Sequence, residues 1–235
     1  VPQLLLRRFR ELFDGQKYIH RNSTLGDSVA QCLIEDLFTL ARSQRLVERV
    51  IAGTRVVNTQ NLRRGIASRR GDGTFGELIP GAQPVRDVGF KVARGPVATI
   101  EIGTEVKILA KAMIKQIDRV MGDLIKQVEH FRRGNDLPIC VAIVGINHAD
   151  YCCSYERDRV WATDGKKHKH PVQEAADAES RIVAQVSPHY DELLILRYKA
   201  TNVEPYPFQW VSQKDTRLDY AAILTRISRQ YDQRF

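Results

Sequence analysis

An α/β fold, with a central mixed sheet flanked by helices, is the class the sequence predicts, and three observations carry it. Residues 109 to 133 repeat apolar side chains at Ile114, Ile117, Met121, Leu124, Val128 and Phe131. This spacing of threes and fours predicts one long helix with a single buried face, ended by Gly134. The run from Leu137 to Ile146 is almost continuously apolar, as expected for a strand covered on both faces of a sheet. Between Asp87 and Leu109 the apolar residues alternate instead, which is the period of a strand.

The remaining elements follow in chain order. Residues 2 to 14 place Leu5, Leu6, Phe9, Leu12 and Phe13 among arginines and predict an amphipathic helix. Ser23 or Asp27 caps a second helix that runs to about 50 through Val29, Leu33, Leu37 and Leu40, with Glu35 near the edge of its buried stripe. From Gly53 to Pro84 glycines break the pattern, which predicts loops with one short hairpin. Asp87 to Ala93 then alternates Val88, Phe90 and Val92 with Gly89 and Lys91. Arg94-Gly95-Pro96 forms a turn, and Val97 to Leu109 returns as a second, antiparallel strand. After an irregular polar section, Pro171 opens a helix, 192 to 201 is a further strand, and 219 to 231 has helical spacing through Ile223, Leu224 and Ile227. Tyr206, Phe208 and Trp210 suggest a packed aromatic edge.

The chain has 235 residues, 43% of them hydrophobic, enough for one domain with a sizeable core. We take 1–235 as that single domain, with its core about 25–200 and an Arg-rich insertion about 53–86. No apolar run is long enough to span a bilayer, and the first thirty residues show no signal-peptide pattern. Cys32, Cys140, Cys152 and Cys153 form no CxxC pair, so a reduced, cytoplasmic setting is expected. His148, Asp150, Cys152, Cys153, His168 and His170 match no common zinc spacing. No GxxxxGK[ST] pattern occurs, so no nucleotide cofactor is expected.

Formal net charge is +8, which favours a polyanionic partner. Its distribution is local: eight arginines between Arg42 and Arg70 stand against the single acid Glu48. Arginine forks suit phosphate oxygens and guanine edges. Arg63, Arg64, Arg69 and Arg70 are therefore the candidate DNA contacts, and a solvated basic face is the plainer alternative. Lys111 and Lys115 lie one and two helical turns beyond Lys107 and could approach a phosphate, as could the basic segment GKKHKH at 165–170.

Side chains alternate along a strand, so Glu101, Gly103, Glu105 and Lys107 share one face while Ile100, Ile102, Val106 and Ile108 share the other. Charges on a strand that otherwise reads as core are costly unless they bind a cation or pair. Folding the hairpin brings Asp87 towards Glu105 and Lys107. Two carboxylates, the Val106 carbonyl and waters make a hard oxygen site suited to Mg²⁺, and a neighbouring lysine can orient the attacking water. Asp72 and Glu77 are rival first ligands, set aside because neither begins a strand that pairs naturally with 97–109. Glu101 is read as an arginine's partner ahead of a third metal-side acid.

Asp87 with Glu105-Val106-Lys107 resembles the PD-(D/E)XK nuclease superfamily, the restriction-endonuclease-like fold of many type II restriction endonucleases. The likeness extends to a preceding glutamate-bearing helix, matched by Glu35 in GDSVAQCLIEDLF, and to the long helix and buried strand that follow the lysine. One departure is that Arg86, not proline, precedes Asp87. The resemblance implies a magnesium-dependent endonuclease hydrolysing double-stranded DNA to 5′-phosphate products, with Asp87, Glu105, Lys107 and Glu35 as catalytic residues. It also implies a homodimer that cuts both strands of a specific site, in a prokaryotic cytoplasm. The alternatives are a repair, recombination or phage-defence nuclease of loose specificity, and an inactive DNA-binding module of the same fold.

Overall fold

The computed structural model describes residues 1–19, 24–59, 72–111, 113–133, 137–156, 159–163 and 171–235. The described chain runs α1 (Leu4–Glu11), α2 (Thr24–Leu40), α3 (Gln44–Ile51), β1 (Arg55–Asn58), β2 (Gly73–Glu77), β3 (Arg94–Gly95), β4 (Ile102–Leu109) and α4 (Ile117–Phe131). It continues through β5 (Ile139–Asn147), β6 (Cys152–Glu156), β7 (Arg159–Thr163), α5 (Pro171–Gln185), β8 (Glu192–Ala200), β9 (Phe208–Trp210) and α6 (Gln213–Arg234). Seven strands form the main sheet in the order β3-β1-β2-β4-β5-β8-β9, and β6 and β7 form a separate antiparallel ribbon.

The architecture is α/β with a mixed central sheet flanked by helices. β4, β5 and β8 are parallel, and the chain passes through α4 from β4 to β5, as a parallel pair requires a long crossover. β5 is buried at every position. Its Ile139, Val141 and Ile143 join the core under α1, α2 and α6, while Cys140, Ala142, Val144 and Ile146 join the core under α4 and α5. The sheet therefore separates two apolar layers. No helix among the described residues is long and apolar enough to cross a membrane.

Several expected elements differ in extent. The single helix expected up to residue 50 is two: Ala41, at φ 53, closes α2, and the Ser43 hydroxyl accepts the Leu46 N–H at 3.0 Å to start α3. Such a cap satisfies one of the unpaired N–H groups that open every helix. The helix expected from 109 begins at Ile117, because Leu109 still belongs to β4. The polar section holds the β6–β7 ribbon, in which Ser154 pairs with Trp161 and Tyr155 with Val160.

The hairpin of 87–93 with 97–109 does not form. Gly89 sits at φ +85, and the Phe90 N–H donates to the Asp87 carbonyl at 3.1 Å. These two features make 87–90 a turn rather than a strand. Val97 forms only an isolated bridge with Leu78, and regular pairing begins at Ile102. The antiparallel partner of β4 is β2, through Gly73 with Thr104, Thr74 with Gly103 and Phe75 with Ile102. The segment expected as an insertion, 53–86, thus contributes β1 and β2 to the middle of the sheet.

At the other end, α1 has no capping side chain of its own. Its first N–H groups, those of Leu4 and Leu5, donate to the two carboxylate oxygens of Asp36 in α2, each at 2.9 Å. Asp36 also accepts from the Tyr220 hydroxyl of α6 at 2.6 Å. One buried carboxylate therefore ties three helices together. Phe9 of α1 and Phe13 just beyond it pack on Tyr198 and Phe208, and Phe9 stacks on Trp210. Phe208 and Trp210 thus belong to the expected aromatic edge.

Candidate active site

β2 reads Gly-Thr-Phe-Gly-Glu because it is pressed between two neighbours. A Cβ on Gly73 would collide with the Cβ of Ala30 in α2, and one on Gly76 would collide with the Thr99 carbonyl. Only glycine permits this approach. Continuing the register one step past Gly73 and Thr104 sets Asp72 opposite Glu105. Beyond it, among the described residues, no strand pairs with β4 at Val106 on this side. The Val106 N–H donates instead to the Asp72 carboxylate at 2.8 Å. Because N–H and C=O of one strand residue point to the same side, the Val106 carbonyl shares this edge with Asp72.

Glu105 is 5% exposed. Burial first, and then the Asp72 charge, push its carboxyl up to about 7, and the Lys107 ammonium offsets part of the rise. Lys107 donates to Glu105 Oε1, while Oε2 is buried without a hydrogen-bond partner. A carboxylate so desolvated, with one oxygen unanswered and a second carboxylate beside it, fits a hard divalent cation. Among the described residues there is no cluster of three or more His, Cys, Asp or Glu suited to a metal. Two carboxylates and a backbone carbonyl suit Mg²⁺, which keeps several waters, better than a transition metal held wholly by side chains.

The structure distributes the residues expected from sequence as follows. Glu105 and Lys107 lie together in β4, as expected. Asp87 lies in the turn before β3, where its carboxylate accepts from Gln31 Nε2 and Arg94 Nη1, each at 3.3 Å. Glu35 is buried, and it accepts the Val92 N–H at 2.5 Å. Burial raises its carboxyl above the usual range, against the pull of the Val92 and Lys91 N–H groups. No hydrogen bond or ion pair among the described residues joins Asp87 or Glu35 to Glu105 or Lys107. Glu101 is not on the Glu105 face: it is held by Arg55, Arg49 and the Tyr231 hydroxyl, so it is an arginine's partner. Lys111 is buried, with its ammonium 4.3 Å from the Trp161 ring centroid. Arg63, Arg64, Arg69, Arg70, His168 and His170 lie outside the described residues.

Asp72 also lines a cleft of about 240 Å³ with Asp27, Ser28, Gln31, Val57, Asn58 and Arg94. The first turn of α2 reaches it closely, for a Cβ on Gly26 would stand 2.7 Å from the Asp72 Cγ. Gly26→Ala must therefore displace that carboxylate, while alanine itself favours helix. The expected result is a melting temperature unchanged or raised, with any activity that needs Asp72 lowered about 10- to 100-fold, because misplacements near 1 Å carry costs of that order. Thermal melts and rates on the same preparation test this. Loss of both together would place Gly26 in the fold rather than the site.

Sequence reasoning set Asp72 aside because it did not begin a strand that pairs naturally with 97–109, yet the strand that starts at Gly73 pairs with β4. The signal that could have found it is the pair of small residues flanking Thr74 and Phe75, which marks close backbone approach as well as turns. Arg94, which turned out to face the same cleft, carried no pattern of its own. Comparison with protein-family models, curated proteins and solved structures gives no match to this chain.

Proposed function

We propose that this chain is a magnesium-dependent endonuclease of the restriction-endonuclease-like fold, hydrolysing phosphodiester bonds of double-stranded DNA to 5′-phosphate products. The observation that supports it most is Asp72 set opposite Glu105 beside Lys107, with one Glu105 oxygen buried and unpaired. In this reading Asp72, Glu105 and the Val106 carbonyl hold Mg²⁺, and Asp72 takes the place that sequence reasoning gave to Asp87. Bound there, Mg²⁺ would polarise a phosphoryl oxygen and lower the pKa of a coordinated water.

The chain's own groups do the rest. The Val106 N–H fixes the orientation of Asp72. Lys107, held by Glu105, places a positive charge where an attacking water and the phosphate would meet. The order of elements agrees with the resembled family: a glutamate-bearing helix, an antiparallel pair ending in Glu-x-Lys, a long helix and a buried strand. The Arg-rich link containing Arg63, Arg64, Arg69 and Arg70 joins β1 to Asp72 in sequence and supplies charge for the DNA backbone, whereas Lys111, buried against Trp161, does not reach it. The specific form we favour is a type II restriction endonuclease acting as a homodimer in the cytoplasm.

Supercoiled plasmid incubated with Mg²⁺, and separately with EDTA, tests the reading, and cutting only with the metal is the expected result. Discrete fragments favour a restriction enzyme, whereas a smear favours a repair, recombination or phage-defence nuclease. DNA binding without cutting in either Mg²⁺ or Mn²⁺ would leave an inactive binding module and end the nuclease reading.

The raised carboxyl of Glu105 gives a pH dependence. Between the ordinary value of 4.5 and about 7, the metal-free native state binds this proton more tightly than the unfolded chain does. The stability from this group is therefore full below 4.5 and is lost as pH rises through 7. A cation must displace the same proton, so its affinity falls about tenfold per pH unit below 7. Mg²⁺ should thus raise the melting temperature more at pH 8 than at pH 6. Equal shifts at the two pH values would remove Glu105 from the metal's ligands.

A further inference from the structure

Arg94 is placed more firmly than a surface arginine. Its backbone bridges two segments: Arg94 N–H donates to the Val85 carbonyl at 2.6 Å, and the Val85 N–H donates back at 2.8 Å. On the other side Arg94 pairs with Val57 of β1. The guanidinium is held from behind, with Nη1 on Asp87 at 3.3 Å and Nη2 on the Thr59 carbonyl at 3.1 Å. Asp87 is itself held by Gln31, and Glu35 grips the backbone of Val92 two residues earlier. Gln31 and Glu35 lie one turn apart on α2, so this helix fixes the whole loop.

Arg94 lines the same cleft as Asp72 and Asp27. Among the described lining residues Arg94 is the one cation. Its Nε is buried and has no hydrogen-bond partner, a costly state for a charged donor unless a ligand answers it. A planar fork that lines a cleft beside two carboxylates, with one donor unanswered, suits an oxygen of a tetrahedral anion.

We infer that Arg94 is a phosphate-binding residue of the active site, gripping a non-bridging oxygen of a DNA backbone phosphate next to the metal acids. Asp87 is its positioning residue rather than a metal ligand. This rests on the nuclease reading above. Arg94 neutralises one phosphate charge in a cleft whose acids would otherwise repel the substrate. Asp87 holds the fork flat and in register, and it acts only through Arg94.

The test uses the whole protein with a duplex DNA substrate. Arg94→Ala should lower kcat/KM about 50-fold, the scale of a charge-assisted hydrogen-bond pair. With Ca²⁺ replacing Mg²⁺, it should reduce the slope of log Kd against log salt by about 0.9, the share of one phosphate contact. Arg94→Lys should restore the slope but not the rate, because an ammonium keeps the charge and loses the fork. Asp87→Asn should lower kcat/KM, and Asp87→Asn with Arg94→Ala should be no slower than Arg94→Ala alone. Neither single variant should raise the Mg²⁺ concentration for half-maximal rate. A raised Mg²⁺ requirement in Asp87→Asn, or additive losses in the double variant, would overturn the positioning role. An unchanged salt slope and rate in Arg94→Ala would overturn the phosphate contact while leaving the nuclease reading intact. If the wild type binds DNA but never cuts it, the nuclease reading fails, and the salt slope alone decides on Arg94.

Discussion

Asp72→Asn and Glu105→Gln are each expected to lower the rate of DNA cleavage by about 10³-fold or more, with duplex binding in Ca²⁺ much less affected. The magnitude follows from what these groups would hold: removing a principal element of transition-state charge stabilisation costs factors of this order. Asparagine in place of Asp72 keeps an oxygen for the Val106 N–H, so the edge of β4 need not rearrange. The loss then reports on charge at the metal rather than on folding. Single-turnover cleavage at saturating enzyme, beside circular dichroism of each variant, measures it. The comparison with Asp87→Asn is the informative one, because the Asp87 carboxylate touches Gln31 and Arg94. If Asp87→Asn abolishes cleavage and Asp72→Asn retains it, the metal pair has been placed on the wrong acid.

Asp36→Ala should be the most damaging single change to stability, at about 3–5 kcal/mol, the scale for removing one partner of a buried charged network. Three donors lose their acceptor at once: the N–H groups of Leu4 and Leu5 and the Tyr220 hydroxyl. Tyr220 is fully buried, so its hydroxyl cannot turn to water, and the α1 terminus has no local cap to replace the lost one. Asp36→Asn keeps one acceptor oxygen and should recover a large part of the loss. Chemical denaturation of both variants, read at constant m-value, checks the order. A loss below about 1 kcal/mol in Asp36→Ala would show that α1 docks through its apolar face alone.

The two cases show where sequence was readable and where it was not. α4 and β5 were legible because each carries its periodicity in its own residues, and Glu105 with Lys107 stood out as charges on an otherwise apolar strand. β2 was not legible, since its glycines answer to Ala30 and Thr99, neither of which is a sequence neighbour. Val88, Phe90 and Val92 imitate a strand, yet Val88 is fully exposed and Gly89 takes a left-handed turn. Alternation records only which residues are apolar, and a turn can satisfy it by chance. Asp36 is invisible for a further reason: it caps a helix whose first residue lies 32 positions away. Nothing local distinguishes such an acid from one facing solvent.

The outermost strands of the main sheet, Arg94–Gly95 at one margin and Phe208–Trp210 at the other, have a consequence for assembly. A strand of two or three residues presents too few unpaired peptide groups to template a visiting strand. Two subunits that each sever one backbone of a duplex would gain little by joining β3 to β3 or β9 to β9. Their spacing on the DNA would then be set by side-chain packing at other surfaces of each copy.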